Sequence, residues 1–327
     1  MPVPPSNADV TTPALDAAKL TVIIPAYNPE LELFRSSIAY FLTEETDLVG
    51  ELLVIDDGSR TPVRREDLLN GREEPRLRVI RRENGGVGAA RNLGVAESSH
   101  PIVAFLDCDC LPQPGWAHTL TAPLRDGRAV LVCGATLTFD MKPLVAQYAD
   151  LMGFLREPVR HRGKIENAVQ ANFAMLRSVY QEMNGFEEKL RRTQDLDFTW
   201  RLIRAGYQER ILYVPEARLL HKHRDTLRAF LKQGYQNGQG GMAHCLLRGR
   251  DPREIFALRP TPLGFLYQFV AAGVVAWRAF SRSAKRYGLD YRLLLFPCLA
   301  MMRSACYNRG SLGLWWRFRK TGRLIFR

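Results

Sequence analysis

The chain has no Cys-x-x-Cys pair. Its six cysteines, at 108, 110, 133, 245, 298 and 306, therefore outline neither a zinc ribbon nor a redox dithiol. Their spacing gives no disulfide framework either, which suits a reducing compartment. No apolar run reaches the ~20 residues that span a bilayer; residues 263–277 form a shorter one, broken by Gln268. The opening "MPVPPSNADVTTPALDAAK" lacks the basic head and apolar centre of a signal peptide. Its Pro, Ser, Thr and Asp content reads as a floppy leader over 1–18. Acidic residues are scarce at the other end. Residues 248–327 hold 3 Asp and Glu against 16 Lys and Arg, whereas the first 247 hold 31 against 30. The net charge of +12 thus belongs to the last quarter, and charge excludes the main body as a nucleic-acid surface. What is present, 46% hydrophobic and 24% charged residues over 327, is a globular composition with room for one large domain or two modest ones.

The first part of the chain, to about residue 109, alternates strand and helix patterns. "LTVIIPAY" (20–27), "ELLVIDDGS" (51–59) and "PIVAFLDCD" (101–109) are short β-branched or apolar runs, and "RLRVIRREN" (76–84) alternates as an edge strand does. "ELFRSSIAYFLT" (32–43) and "GVGAARNLGVAES" (86–98) have helical spacing. Near-continuous apolar strands separated by helices predict an α/β fold with a mainly parallel sheet covered on both faces. In such sheets ligands bind beyond the carboxyl ends of the strands. Tyr27, Asn28, Asp56, Asp57, Asp107 and Asp109 all fall at such ends.

Two acidic pairs converging on one crevice repel each other unless a cation sits between them. Hard divalent ions such as Mg²⁺ and Mn²⁺ take oxygen ligands and share them with substrate phosphates. On an extended backbone, residues i and i+2 point the same way, so Asp107 and Asp109 are expected to face one metal, with Cys108 turned to the apolar side. In "ENGGVGAARNLG" (83–94), Arg91 stands where a dinucleotide fingerprint needs its third glycine, and the loop follows the third strand instead of the first, so that fingerprint is rejected. A flexible loop opening a helix remains, whose free amides favour anions, with Arg91 one turn in. Further on, "VQANFAMLR" alternates like a strand. "LDFTWRLIRAG" (196–206) places Leu196, Trp200 and Ile203 on one helical face, stopped by Gly206. Asp195 at that helix entrance reads either as an N-cap or as a general base beside an acceptor.

"IIPAYN", "VIDDGS", "NGGVGAARNLG", "FLDCD", "NGFEE…TQDLDFTWRLIRAGY" and "YVPEARLLHKHR" stand in the order and spacing of the family 2 glycosyltransferases, and over about residues 19–230 the chain resembles them. The resemblance implies the GT-A fold, a Rossmann-like, mainly parallel sheet flanked by helices. It implies a nucleotide-diphosphate sugar donor (UDP, GDP or dTDP), Mn²⁺ or Mg²⁺, and inverting transfer by direct attack of an acceptor hydroxyl. Carried over residue by residue, it implies that Pro25 and Tyr27 line the base pocket and that Asp56 or Asp57 holds uracil or ribose. Arg91 lies near the nucleotide or phosphates. Asp107 and Asp109 form the metal-binding D-x-D, with Asp109 the direct ligand. Asp195 of "TQD" is the base, where the family usually has "TED" or "GED", so Gln194 replaces a Glu. His221 matches a metal-binding histidine of some relatives, and spacing puts His221 and His223 on one strand face. The Q-x-x-R-W pattern of processive members is absent from "KQGYQNGQGG" (232–241), which favours addition of single sugars to a lipid-linked or growing glycan.

The expected organisation is a leader over 1–18, a GT-A domain over 19–247 and a basic, apolar helical tail over 248–327. The tail ends "LGLWWRFRKTGRLIFR", where tryptophan beside arginine suits a membrane interface. Peripheral attachment to the cytoplasmic face of the cell membrane follows as the expectation, with no nucleic-acid partner. A membrane-bound scaffold that binds nucleotide-sugar without turnover is the alternative, with Gln194 its one hint. A nucleotidyltransferase would want a Gly-rich basic loop after the first strand, a place taken here by "PAYNPELE".

Overall fold

A computed structural model describes residues 18–154, 156–169, 171–251 and 295–326, with Leu15 and scattered positions between 270 and 284. Most of the leader and of the apolar run at 263–277 lies outside the described residues. The elements, in chain order, are β1 (Leu20–Ala26), α1 (Leu31–Thr43), β2 (Val49–Asp56), α2 (Arg65–Leu69), β3 (Leu77–Arg81), α3 (Val87–Glu97), β4 (Ile102–Leu106), β5 (Cys110–Pro112), α4 (Trp116–Arg125) and β6 (Leu131–Thr138). They continue with α5 (Leu144–Leu151), β7 (Val159–His161), β8 (Lys164–Asn167), β9 (Asn172–Leu176), α6 (Arg177–Glu182), α7 (Gln194–Arg204), β10 (Ile211–His221), α8 (Leu227–Arg248) and α9 (Phe296–Thr321).

The chain divides into two compact units. The first comprises residues 1–137, 155–188 and 194–222; the second takes 138–154, 189–193 and 223–327. The first unit is built on an eight-stranded sheet in the order β3-β2-β1-β4-β9-β6-β10-β5. The α/β expectation is borne out. Parallel pairing joins β3, β2, β1 and β4, while β9 pairs antiparallel to both β4 and β6, and β10 antiparallel to β5. β3 is the edge strand that its alternation predicts. β9 is central, and all five of its residues are buried. Covered faces on both sides explain why its alternation does not produce an exposed face.

The helices follow the 3.6-residue period. α1 buries Leu33, Phe34, Ser37, Ile38 and Phe41. Phe34, Ile38 and Phe41 are fully buried, each worth about 1.5–3 kcal/mol of transfer energy. Phe41 meets the edge of Trp116 at 5.7 Å between centroids. Gly94 lets α3 approach β1, since a Cβ there would stand 2.4 Å from Ile23.

The second unit holds α5, α8 and α9. Thr226 caps α8 by accepting from the Ala229 amide at 3.3 Å, and Gly249 closes it in the left-handed region. The segment "GYQNGQGG" is helical here because glycine serves packing. A Cβ at Gly238 would stand 2.0 Å from the Tyr307 carbonyl, and one at Gly310 equally close to that of Tyr235. The Ser311 hydroxyl donates to the Gly238 carbonyl at 2.9 Å across the same contact. Pro297 sits in the first turn of α9, where its missing N–H costs nothing. The Arg303 guanidinium lies over the Phe154 ring at 4.1 Å, and burial pushes its pKa down. No helix among the described residues is long and apolar enough to cross a membrane.

Candidate active site

The rim beyond the carboxyl ends of β1, β2 and β4, in the first unit, carries the charged residues that the sequence singles out. At the end of β1, Pro25 is buried, and Tyr27 is 54% exposed. Asn28 adopts φ 49° and ties this end to the next loop: its amide donates to Ser59 Oγ, and its Oδ1 accepts from the Arg60 amide, both at 2.9 Å.

Asp56 and Asp57 end β2 as buried carboxylates. Asp56 accepts from the amides of Ser59 (2.8 Å) and Val63 (3.2 Å) and pairs with Arg81. Burial opposes its ionisation, but these hydrogen bonds outweigh it and hold the carboxyl below its usual range. Asp57 uses both oxygens twice. Oδ1 takes Arg82 (3.0 Å) and the Gly85 amide (2.9 Å); Oδ2 takes Asn84 Nδ2 (3.1 Å) and the Gly86 amide (2.8 Å). The glycine loop before α3 is thus wrapped around Asp57.

The D-x-D at the end of β4 is built differently. Residues 107–110 form a turn, closed by the Cys110 amide on the Asp107 carbonyl at 3.0 Å. The extended backbone expected for this triplet is therefore absent, and the two carboxylates meet different partners. Asp107 accepts from Arg91 Nη2 at 2.6 Å, while Asp109 Oδ1 lies 3.6 Å from His221 Nε2. Both acids stay about one-third exposed. Arg91 is only 3% exposed, with Phe186 5.8 Å from its guanidinium carbon, so it is no surface residue of α3. Cys108 packs against the apolar core, as its placement predicts.

Asp195 lies in the first turn of α7, its Oδ1 accepting from the Leu196 amide at 2.9 Å. Loss of water pushes its carboxyl above the ordinary range; that hydrogen bond and the charge of Arg91 partly offset this, and the charge of Asp107 adds to it. Arg91, Asp107 and Asp195 therefore form one electrostatic cluster drawn from α3, β4 and α7. The buried face of α7 differs from the expected Leu196, Trp200 and Ile203. Phe198 and Leu202 face inward, together with Gln194, Asp197 and Thr199. Asp197 is neutralised by Arg201 at 2.9 Å, and the Thr199 hydroxyl accepts from the Ala168 amide at 3.1 Å. Trp200 is covered instead by the Arg204 guanidinium, 5.0 Å above its ring.

β10 ends at His221, so His223 lies past the strand and does not share its face. His221 is 8% exposed.

Asn172 and Asn92, to which the sequence assigned no role, support the site together with Gln194. Asn172, fully buried, donates to the carbonyls of Ala135 and Ala217, both at 2.9 Å, and accepts from the Trp116 indole at 2.8 Å. It locks β9 to β6 and β10. Asn92 donates to the Phe186 carbonyl (3.0 Å) and Glu188 (2.8 Å), while its Oδ1 accepts from the Phe186 amide (2.9 Å) and the Tyr180 hydroxyl, binding "RNLG" to "NGFEE". Gln194 packs where a Cβ on Gly88 would come within 3.2 Å. Small residues one turn before and after Arg91 (Gly88, Gly94) were the available signal that this helix face is buried.

Residues 21–183 match the model of glycosyl transferase family 2. The chain belongs to that family. Among curated relatives, it is 31% identical over 238 residues to a pre-mycofactocin glycosyltransferase of Mycobacterium tuberculosis, covering 70% of this chain and 46% of that protein. The chain thus spans about half the length of that relative. It is 27% identical over 230 residues to the O-antigen chain rhamnosyltransferase RfbN of Salmonella typhimurium, covering 67% of this chain and 71% of RfbN. The solved glucosyl-3-phosphoglycerate synthase of Mycobacterium tuberculosis, in complex with Mn²⁺, UDP and phosphoglyceric acid, shares the fold with a TM-score of 0.51. Its identity is 20% over 72% of this chain and 80% of that one. The family's GT-A fold is accordingly the fold of the first unit.

Proposed function

We propose that the chain moves one sugar from a nucleotide-diphosphate sugar, with UDP, GDP or dTDP as carrier, to a hydroxyl of a lipid-linked or growing glycan, with inversion. The observation that carries this reading is the cluster of Arg91, Asp107 and Asp195 on the sheet rim. A carboxyl whose proton affinity is raised by burial is suited to take the proton of an attacking hydroxyl, a contribution of about 10²–10⁴-fold. Asp195 is assigned that role. Direct attack needs one base and no protein nucleophile, and inversion follows from that.

The residues present fit a divalent cation. Asp109 and His221 offer an oxygen and an imidazole nitrogen 3.6 Å apart, a separation two ligands of one ion can adopt. These two would hold it, and Asp107, engaged by Arg91, is assigned as the other carboxylate of the D-x-D. When bound, Mn²⁺ or Mg²⁺ stabilises the negative charge that develops on the departing diphosphate. Arg91 orients Asp107 and adds positive charge on the phosphate side. Tyr27 presents an exposed ring at the end of β1 for the nucleoside base, above buried Pro25. Asp56 and Asp57 meet the nucleoside through the loops they fix.

Attachment to the cytoplasmic face of the membrane is assigned to the basic tail. The last turns of α9 carry an exposed Trp316 with Lys320 3.8 Å over its ring, and Arg319 over Trp315. Rings of this kind settle among headgroups, and the cations favour anionic lipid.

The test is Asp195→Asn. Transfer falls to background, while UDP binding by calorimetry stays within about twofold of the parent. A parent protein that binds UDP but transfers no sugar to any glycan or lipid-linked acceptor would instead be a scaffold.

A further inference from the structure

Cys110 stands directly opposite His221 in the antiparallel pairing of β5 with β10. Residues opposed in this way project from one face, their Cβ atoms about 4.5–5.5 Å apart. Cys110 Sγ is 3.8 Å from Asp109 Oδ1, and His221 Nε2 lies 3.6 Å from that same oxygen. One ligand atom from each of the three residues lies within 4.8 Å of the other two. Bonds of about 2.0–2.3 Å to a tetrahedral ion set ligand atoms roughly 3.3–3.8 Å apart, so the cluster needs only a small contraction.

We infer that Cys110 is a third ligand beside Asp109 and His221, and that the three form a site preferring thiophilic ions, Zn²⁺ foremost, over Mn²⁺ and Mg²⁺. The inference rests on the metal reading of Asp109 and His221 given above. Sulfur, imidazole and one carboxylate make a donor set matched to zinc, whereas Mg²⁺ and Mn²⁺ favour oxygen. Cys110 and His221 are buried, and Asp109 is the partly exposed member through which an ion reaches them. The thiol gives its proton to solvent as sulfur binds the ion. Zinc held here displaces the harder ion and inhibits transfer.

The experiment uses the metal-free full chain. Co²⁺ titration reads a sulfur-to-cobalt charge-transfer band in the near ultraviolet, and Zn²⁺ and Mn²⁺ affinities are measured separately. The band is expected in the parent and in Cys108→Ser, and lost in Cys110→Ser. Zn²⁺ affinity falls about 100-fold in Cys110→Ser, while Mn²⁺ affinity moves less than about threefold. Circular dichroism checks that the variant folds, and the chemical shift of ¹¹³Cd bound to the parent reports sulfur ligation without any substitution. A band that survives in Cys110→Ser, or a cadmium shift without a sulfur ligand, overturns the role of Cys110 and leaves Mn²⁺ binding by Asp109 and His221 standing. A parent that binds Zn²⁺ through Cys110 but never Mn²⁺ removes the Mn²⁺ reading instead.

Discussion

Two acidic pairs end two strands of one sheet, and they are built in opposite ways. At the end of β2, Asp56 and Asp57 are 0% and 3% exposed, and each oxygen is engaged by the loops that follow. At the end of β4, Asp107 and Asp109 stay about one-third exposed and face a cation and an imidazole. The first pair shapes backbone; the second offers charge to the crevice. The same residue type at equivalent strand ends therefore performs different work, decided by how many amides the loops after β2 and β3 turn toward it.

Breaking this contrast should give effects of distinct kinds. The largest is on catalysis. Asp109→Ala is expected to lower kcat/KM about a thousandfold, equivalent to the several kcal/mol that metal-assisted charge stabilisation supplies. Unfolding free energy should stay within about 0.5 kcal/mol, because the side chain is partly solvated. Equal losses of activity and stability would erase the distinction. Next comes Asp57→Ala, which strands Arg82, Asn84 and two loop amides; denaturant unfolding should show a loss of about 3 kcal/mol. An unchanged midpoint would show that water replaces the carboxylate.

The smallest effect lies in the pH dependence of melting. Asp56 is held below the usual carboxylate range, so its stabilisation is present above the unfolded value and lost as pH falls through the lower folded one. Asp195 is raised, so its ionised form costs stability at neutral pH, and that cost fades on acidification. Calorimetry of Asp195→Asn should show a melting temperature above the parent at pH 7, converging with it toward pH 4. Asp56→Asn should melt below the parent at pH 7, with the gap narrowing in acid. A pH-independent gap for either variant would contradict the assigned direction.

Much of this was legible in sequence because the strands of a covered sheet are continuous β-branched runs. β1, β2 and β4 could be drawn from them, and with them the rim on which Asp56, Asp57, Asp107 and Asp109 lie. Three features resisted for physical reasons. The face of α7 was misassigned because hydrophobicity does not reveal that Arg201 neutralises Asp197, which lets a carboxylate be buried while Trp200 stays partly outside. The D-x-D turn depends on one backbone hydrogen bond that no side chain announces. The burial of Arg91 is announced by no apolar side chain; it shares its helix face with Gly88 and Gly94, which pack closely against Gln194 and Ile23. His221 and Cys110 were visible one by one, but only strand pairing brings them face to face.

Asn172 gives the whole arrangement an arithmetic constraint. Because it holds the carbonyls of Ala135 and Ala217 at once, β10 cannot slide against its neighbours without abandoning an amide hydrogen bond. Side chains on a strand alternate between faces, so a shift by a single position would turn His221 away from Asp109 and present Leu220 in its place. Length changes between Ala217 and His221 are therefore tolerable for the rim only in even steps, and drift in this stretch should gather on the far side of Ala217, where no such parity applies.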